Sequence, residues 1–194
     1  MIKEERVARH LHLPLQSGSA DVLRRMARAN TPGQYEELVN QIRAAIPDIA
    51  LTTDIMTGFP AETDDEFKES LDFIYRMNFA DGHVFTYSAR EGTPAGNFPD
   101  QVAHQVRKER NARVRDLLKK AAVKYRQQFV GAELLTLWEQ VETLEENNHQ
   151  AIGLTDNYLR VEASACPDVW NSFSFVKITG INPRGVRGEI VNQA

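Results

Sequence analysis

Alternating apolar and polar positions divide the chain into an α/β half and a β-rich half. In the first half, runs of β-favouring residues alternate with stripes of apolar residues at helical spacing. The strands are predicted at residues 10–15, 49–56 and 82–87. Strands separated by helices pair in parallel with right-handed crossovers, so the pattern predicts an α/β fold in which the three strands end at one edge of a sheet.

Caps and apolar stripes predict the helices between these strands. Residues 22–30 carry one apolar face and end before a Thr-Pro pair. Thr31 is then predicted to cap a second helix, and Gln34 to close a capping box with it. Thr63 and Glu66 predict a second capping box at the start of a third helix.

The second half begins with a long helix and continues as short strands. One apolar stripe predicts a helix over residues 101–129, with most of its basic residues off the stripe. The β-favouring runs beyond Gly131 predict a small antiparallel β-barrel. We therefore expect three regions, at 1–100, at 101–129 as a connecting basic amphipathic helix, and at 130–194. The barrel strands are predicted at 134–141, 157–163, 174–181 and 188–191, with a polar turn at 145–148.

Composition and charge narrow the classes of function. With 42% hydrophobic and 26% charged residues, the chain is typical of a soluble protein. Apolar runs of about 18 residues are absent from the sequence, and Met1–Arg6 lack the apolar core of a signal peptide, so we expect a cytoplasmic protein without a membrane partner. Residues 103–125 hold eight Lys and Arg against two Asp and Glu, whereas 126–194 hold five against nine. Nucleic-acid binding would have to centre on that basic stretch.

Cysteine and histidine usage argues against a metal site. The single cysteine excludes an intramolecular disulfide and any cysteine-only metal site, and Cys166 is interpreted as a small residue in a β-rich region. His10 and His12 share one strand face at a spacing that suits metal ligands, but neither a cysteine nor a third histidine lies near them in sequence. The sequence therefore predicts no metal ligands in this chain.

Polar motifs follow all three predicted strands. In parallel sheets, ligands bind at the carboxyl ends of the strands. Residues 10–19 bring an amide and two hydroxyls to a helix N-terminus, which can hold an anion; helix capping is the alternative interpretation. Residues 52–63 combine a buried strand, a glycine and the carboxylate of Glu62, which suits a nucleoside or amino-acid cofactor. Alternatively, Asp54 satisfies backbone donors and Glu62 only favours the start of a helix. Residues 83–95 offer an aromatic ring, a hydroxyl and an arginine for stacking or phosphate contact.

In this order and spacing, the three motifs resemble the methylthiotransferases of the radical S-adenosylmethionine superfamily. The resemblance rests on His-Leu-His-Leu-Pro-Leu-Gln-Ser-Gly-Ser at 10–19, Thr-Thr-Asp-Ile-Met-Thr-Gly-Phe-Pro-Ala-Glu-Thr at 52–63, and the run at 83–95. It is greatest to the branch that modifies threonylcarbamoyladenosine beside the tRNA anticodon, supported by His-Val-Phe before Tyr-Ser at 83–88 and by the run at 153–161. Relatives that act on isopentenyladenosine or on a ribosomal protein share most of these motifs.

The resemblance implies the C-terminal part of a radical SAM partial (β/α) barrel followed by a TRAM-like β-barrel for RNA. The complete enzymes hold 4Fe-4S clusters, one of them on a Cys-x-x-x-Cys-x-x-Cys loop that does not occur here. We therefore expect a fragment that lacks the N-terminal part of the enzyme, carries no catalytic residues of its own and is inactive alone. The implied cofactor is S-adenosylmethionine, which yields a radical that activates carbon 2 of the adenine, and the implied partner is the tRNA anticodon stem-loop.

The matching positions also imply individual roles. Ala61 stands where the family usually has Gly, and Ala20 where it usually has Asp, so the turn at Ala61 is expected to be less permissive. The basic residues of the predicted barrel have an alternative interpretation, as scattered solvated charges that bind nothing. The chain as a whole has an alternative function, as a noncatalytic RNA-binding module. The implied cofactor-binding residues are Gln16, Ser17, Asp54, Gly58, Glu62, Tyr87 and Ser88, and the candidate RNA-binding residues are Arg90, Lys177, Arg184 and Arg187.

Overall fold

A computed structural model describes residues 7–145 and 148–193 of the chain. The sequence expectations about Met1–Arg6 and about the centre of the 145–148 turn lie outside the described residues. The chain forms two compact units. One consists of Leu11–Pro47 and Leu51–Ala122, and the other combines Asp48–Ala50 and Val123–Ala194 with the described part of Met1–His10.

A three-stranded sheet and four helices confirm the predicted α/β fold. The strands lie in the order β1-β2-β3. β2 and β3 pair in parallel, with Asp54 opposite His83 and Met56 opposite Phe85, and a parallel bridge joins Gln16 to Ile55. The elements are β1 (His10–His12), α1 (Ala20–Arg25), α2 (Pro32–Ala45), β2 (Ala50–Thr57), α3 (Asp64–Met77), β3 (Asp81–Thr86) and α4 (His104–Gln127).

Local sequence signals set most of these boundaries. Both predicted capping boxes are confirmed, because the Thr31 and Thr63 hydroxyls each accept the backbone N–H three residues later while that residue's side chain returns to the cap. The first helix is shorter than predicted. It ends at Arg25, and Ala27 takes a left-handed φ of 54° that does not continue a helix.

Helices cover one face of the sheet. The Tyr35 hydroxyl on α2 donates to the Leu13 carbonyl at 2.7 Å. A Cβ on Gly82 would lie 2.9 Å from the Thr53 carbonyl and 3.0 Å from Leu118 on α4, so only glycine fits there without displacing a neighbour. Because side chains alternate across a strand, Asp54 and its partner His83 point to the opposite face.

The second unit contains the predicted β-barrel, which is closed. Four strands were predicted, and the described residues of the barrel form five. The additional strand, Asn148–Thr155, was not predicted because its polar start and internal glycine are not typical of a strand. The pairs are antiparallel except for β6 and β8, which pair in parallel at Val161 and Glu162. The strands are β4 (Glu133–Glu145), β5 (Asn148–Thr155), β6 (Arg160–Ser164), β7 (Phe173–Ile181) and β8 (Val186–Gln193), in the order β4-β5-β6-β8-β7.

Fully buried side chains of the barrel include Trp138, Val161 and Val176. The indole N–H of Trp138 donates to Ser174 Oγ at 3.1 Å. A Cβ on Gly153 would lie 2.4 Å from the Leu137 carbonyl, so the close approach of β4 and β5 requires glycine.

In the described part of the chain, we find no helix whose length and apolar character would let it span a membrane.

Candidate functional site

The loop after β1 is fixed mainly by its backbone. Gln16 has a left-handed φ of 70°, its N–H donates to the Asp54 carbonyl, and its own carbonyl accepts from Met56 N, each at 2.8 Å. Ser17 is buried, and its hydroxyl accepts from Ser19 N at 3.2 Å. Ser17 therefore shapes the loop, while the Gln16 side chain remains half-exposed beside the strand ends.

The loop after β2 is built around a buried ion pair between Glu62 and Arg110. Arg110 Nη1 lies 3.1 Å from Glu62 Oε2 and 2.9 Å from the Glu62 carbonyl, and its Nη2 lies 2.7 Å from Asp64 Oδ1. Gly58 N–H also donates to the Glu62 carboxylate. Burial raises the pKa of Glu62, and the positive charge of Arg110 opposes that rise. The carboxylate thus does more than favour a helix start: it holds the turn together.

Ala61 is the strained position of the same loop. Its φ is 60°, in the left-handed region that glycine adopts at lower cost, as the departure from the family's glycine suggested. Its N–H donates to the Asp100 carbonyl at 2.9 Å, and its carbonyl accepts from Arg25 Nη2 at 3.2 Å. Arg25 is fixed in turn by two hydrogen bonds to the Glu66 carboxylate, at 2.7 and 2.8 Å.

The loop after β3 contains one buried and two exposed candidates. Tyr87 is buried against Phe59, with ring centroids 5.3 Å apart, and Val22 belongs to the same cluster. Its hydroxyl is buried and makes no hydrogen bond to the described residues, which is unusual for a buried phenol. Ser88 and Arg90 are exposed.

Two arginines of α4 enter this region, and the sequence reasoning missed both because it treated the helix as a connector. Arg110 pairs with Glu62, and Arg107 lies over Gly58. A Cβ on Gly58, whose φ is 73°, would lie 2.1 Å from Arg107 Cγ. Arg107 Nη1 also donates to the Tyr87 carbonyl at 2.6 Å. The excess of basic residues at 103–125 was the available signal, but it indicates charge and does not identify partners.

Polar and aromatic side chains line the sheet face opposite α2 and α4. His12 lies between two strand residues, with Nδ1 3.0 Å from Thr52 Oγ1 and Nε2 3.2 Å from Asp54 Oδ2. The side chain of Asp54 therefore lies next to an imidazole, and none of the described backbone N–H groups donates to it. The His83 ring lies 6.3 Å from that of His12, and Phe85 is exposed next to it. The described residues contain no group of three potential His, Cys, Asp or Glu metal ligands.

Acidic residues lie next to Lys177 and Arg187, two of the three barrel cations predicted to bind RNA. Lys177 lies opposite Glu133 on β4 and Glu189 on β8. Arg187 is aligned with Glu162 on β6. Arg184 lies in the β7–β8 turn, which Asn182 stabilises by accepting from Arg184 N at 2.9 Å. These cations are exposed but do not form a purely basic surface.

The two implied cofactors fit the chain differently. The buried, unpartnered Tyr87 hydroxyl, the half-exposed Gln16 and the Asp54 carboxylate are groups that S-adenosylmethionine can use at the strand ends. An iron-sulfur cluster does not fit, because four thiolates are its usual ligands and the sequence has one cysteine, Cys166, which is exposed.

Comparison with known proteins agrees with this geometry. Residues 1–74 match the model of the radical SAM superfamily. The chain is 40% identical, over its full length, to a tRNA-2-methylthio-N(6)-dimethylallyladenosine synthase of Geobacillus kaustophilus, and 37% identical, over 91% of its length, to the threonylcarbamoyladenosine tRNA methylthiotransferase MtaB of Bacillus subtilis. The resemblance to the radical SAM methylthiotransferase family is confirmed. The chain covers 36% and 39% of these two methylthiotransferases.

A solved structure supports the fold alone. Coproporphyrinogen III oxidase of Escherichia coli, described as a radical SAM enzyme, superposes with a TM-score of 0.51 at 13% identity. The match covers 96% of this chain and 46% of the oxidase. The activity is therefore indicated by the methylthiotransferase relatives. The chain is 40% identical to one enzyme and 37% identical to the other, so sequence identity favours neither of their two substrates.

Proposed function

We propose that this chain is part of a tRNA methylthiotransferase, in which it forms one wall of an S-adenosylmethionine site and supplies a barrel that contacts RNA. The observation that carries the proposal is identity of 37–40% to two tRNA-modifying enzymes over at least 91% of the chain. The strand-end groups of Gln16, Asp54 and Tyr87 support the cofactor role. An enzyme that acts on tRNA is expected in the cytoplasm.

The substrate we assign is N6-threonylcarbamoyladenosine beside the anticodon, methylthiolated at carbon 2. The runs at 83–88 and 153–161 support this branch. Dimethylallyladenosine, the isopentenyl-modified base, is the second candidate, since the Geobacillus kaustophilus relative carries that substrate in its name. A ribosomal protein is the third candidate, because enzymes that modify one share the strand-end motifs.

The proposal includes inactivity of the isolated chain, because its residues cannot ligate a cluster. Anaerobic incubation with iron and sulfide, followed by desalting, should leave no cluster absorbance and no stoichiometric iron. Exchange of Cys166 for serine should leave this result unchanged. A stable 4Fe-4S centre on the chain alone would contradict the fragment interpretation.

A chimeric enzyme tests the activity and the branch together. This chain replaces the matched segment of the Bacillus subtilis relative, and the chimera is produced in cells that lack both tRNA methylthiotransferases. Mass spectrometry of tRNA nucleosides should then detect 2-methylthio-threonylcarbamoyladenosine. The 2-methylthio derivative of dimethylallyladenosine would favour the second candidate. A reciprocal chimera built on the Geobacillus kaustophilus relative controls for specificity carried by the other part of the enzyme.

A further inference from the structure

We infer that one side of α4 holds the phosphate backbone of the tRNA, beside the open edge of the sheet. This inference rests on the proposed function and adds an RNA contact that lies outside the barrel. The surface consists of Lys108, Arg115 and Lys119, and we call it the α4 basic stripe. All three residues lie on α4 and belong to the same compact unit as β2 and β3.

Helical spacing places the three cations of the stripe in one row. Positions 108, 115 and 119 are separated by seven and four residues, which brings them to the same side of an α-helix. All three residues are exposed. At a rise of about 1.5 Å per residue, they lie about 10 and 6 Å apart along the helix axis. Phosphates of one nucleic-acid strand follow one another at about 3.4 Å along its axis, so each cation can meet a different phosphate.

The positive charge of the stripe is not offset by ion pairs. The two acidic residues of α4 are Glu109 and Asp116. Each follows a stripe residue by one position, which turns it about 100° away around the helix. Asp116 pairs with Lys120 at 2.7 Å, and Glu109 accepts from Gln105 Nε2 at 2.8 Å. Among the described residues, none forms a salt bridge with a cation of the stripe.

The stripe runs along the edge of the sheet. β3 is the last strand in the order β1-β2-β3, and Arg115 Nη2 donates to the Val84 carbonyl at 3.3 Å. Arg107, one position before Lys108, donates to the Tyr87 carbonyl just after β3. One end of the stripe therefore lies near the strand ends, where the proposed function places the cofactor. An RNA backbone held by the stripe can bring a nucleoside to those strand ends.

Nucleic acid fits this surface better than a membrane does. A helix that lies in a membrane surface inserts large apolar side chains from its exposed face. Among the described residues of α4, Val123 is the large apolar residue that is exposed, and it lies beyond the stripe. On the barrel, Lys177 and Arg187 have acidic neighbours, so the stripe offers phosphate the stronger attraction.

Lys119→Gln and Lys120→Gln form a matched pair of variants that tests the stripe. Fluorescence anisotropy of a labelled tRNA transcript, titrated with the complete chain at several salt concentrations, measures the Kd and its salt dependence. Lys108→Gln and Lys119→Gln should each weaken binding about three- to tenfold at low salt and lower the salt slope by about one. Lys120→Gln should change neither, because Asp116 already pairs with that charge. Circular dichroism should show that all of these variants are folded, since the side chains are exposed.

A second transcript of unrelated sequence separates phosphate contacts from recognition of bases. The double variant Lys108→Gln/Lys119→Gln should lower the salt slope by about two and weaken the binding of both transcripts by the same factor. Equal losses in Lys119→Gln and Lys120→Gln, or an unchanged slope in the double variant, overturn the inference. Weaker binding of the double variant to vesicles of equal parts phosphatidylserine and phosphatidylcholine, with tRNA binding unchanged, would assign the stripe to a membrane and also overturn it.

Failure of the proposed function and failure of this inference have different signatures. An inactive chimera, together with tRNA binding that depends on Lys108 and Lys119, contradicts the function alone. An active chimera, together with tRNA binding that the double variant leaves unchanged, contradicts the inference alone.

Discussion

Glu62 and Arg110 form an ion pair in which the side chains are only 2% and 7% exposed, although 48 positions separate them in sequence. Through the Glu62 carboxylate, the pair reaches the Gly58 N–H and so fixes the turn between β2 and α3. A helix that the sequence presents as a connector therefore determines the shape of a predicted cofactor loop.

Loss of Arg110 should be strongly destabilising. Arg110→Gln leaves a buried carboxylate without its counter-charge and should lower the free energy of unfolding by about 3–5 kcal/mol. Glu62→Gln should cost less, about 1–3 kcal/mol, because Arg110 keeps its hydrogen bonds to Asp64 and to the residue 62 carbonyl. Urea denaturation followed by circular dichroism measures both. Arg113→Gln, on the exposed side of α4, is the control, and a loss as large as that of Arg110→Gln would contradict the buried-pair account.

Tyr35 should make stability fall in alkaline solution. Burial raises its pKa from 10.0 to about 12, so the folded protein holds the phenolic proton more tightly than the unfolded chain does. This contribution is complete below pH 10.0 and is lost as the pH rises through about 12. Tyr35→Phe should flatten the decline in unfolding free energy over that range and cost about 1 kcal/mol at neutral pH through the lost bond to Leu13. Tyr75→Phe is the exposed control; an unchanged alkaline slope in Tyr35→Phe would disprove the role.

The left-handed backbone at Ala61 predicts that glycine at this position stabilises the protein, although glycine usually destabilises it. Ala61→Gly should raise the free energy of unfolding by up to about 1 kcal/mol, because relief of the strain at φ 60° outweighs the greater freedom of glycine in the unfolded chain. Ala112→Gly, at an exposed position in the middle of α4, should instead cost about 1 kcal/mol. Destabilisation of similar size in both variants would show that Ala61 is not strained.

The sequence predicted features that depend on neighbouring residues, but it did not predict contacts between distant segments of the chain. The capping boxes at Thr31 and Thr63 depend on residues three positions apart, and both were predicted. Arg107 over Gly58 and Arg110 against Glu62 depend on chain segments about 50 residues apart, and no periodicity encodes such contacts. The acidic partners of Lys177 likewise follow from barrel register, which strand patterns do not fix.

The strand register of the barrel also predicts which of its basic residues contributes more to RNA binding. Arg184→Gln should weaken tRNA binding by the isolated chain and lower the salt slope by about one, because no acidic residue is paired with it in the described strands. Lys177→Gln should have a smaller effect, since Glu133 and Glu189 already offset its charge. Fluorescence anisotropy at several salt concentrations measures both. The opposite ranking would place the RNA contacts elsewhere on the chain.

The nucleoside content of tRNA tests the central claim most directly. In cells whose only methylthiotransferase is the Bacillus subtilis chimera that carries this chain, we predict 2-methylthio-threonylcarbamoyladenosine in the tRNA. Cells with the isolated chain should contain only the unmethylthiolated nucleoside. A folded, cluster-loaded chimera that leaves every tRNA without a methylthio group would contradict the proposed function.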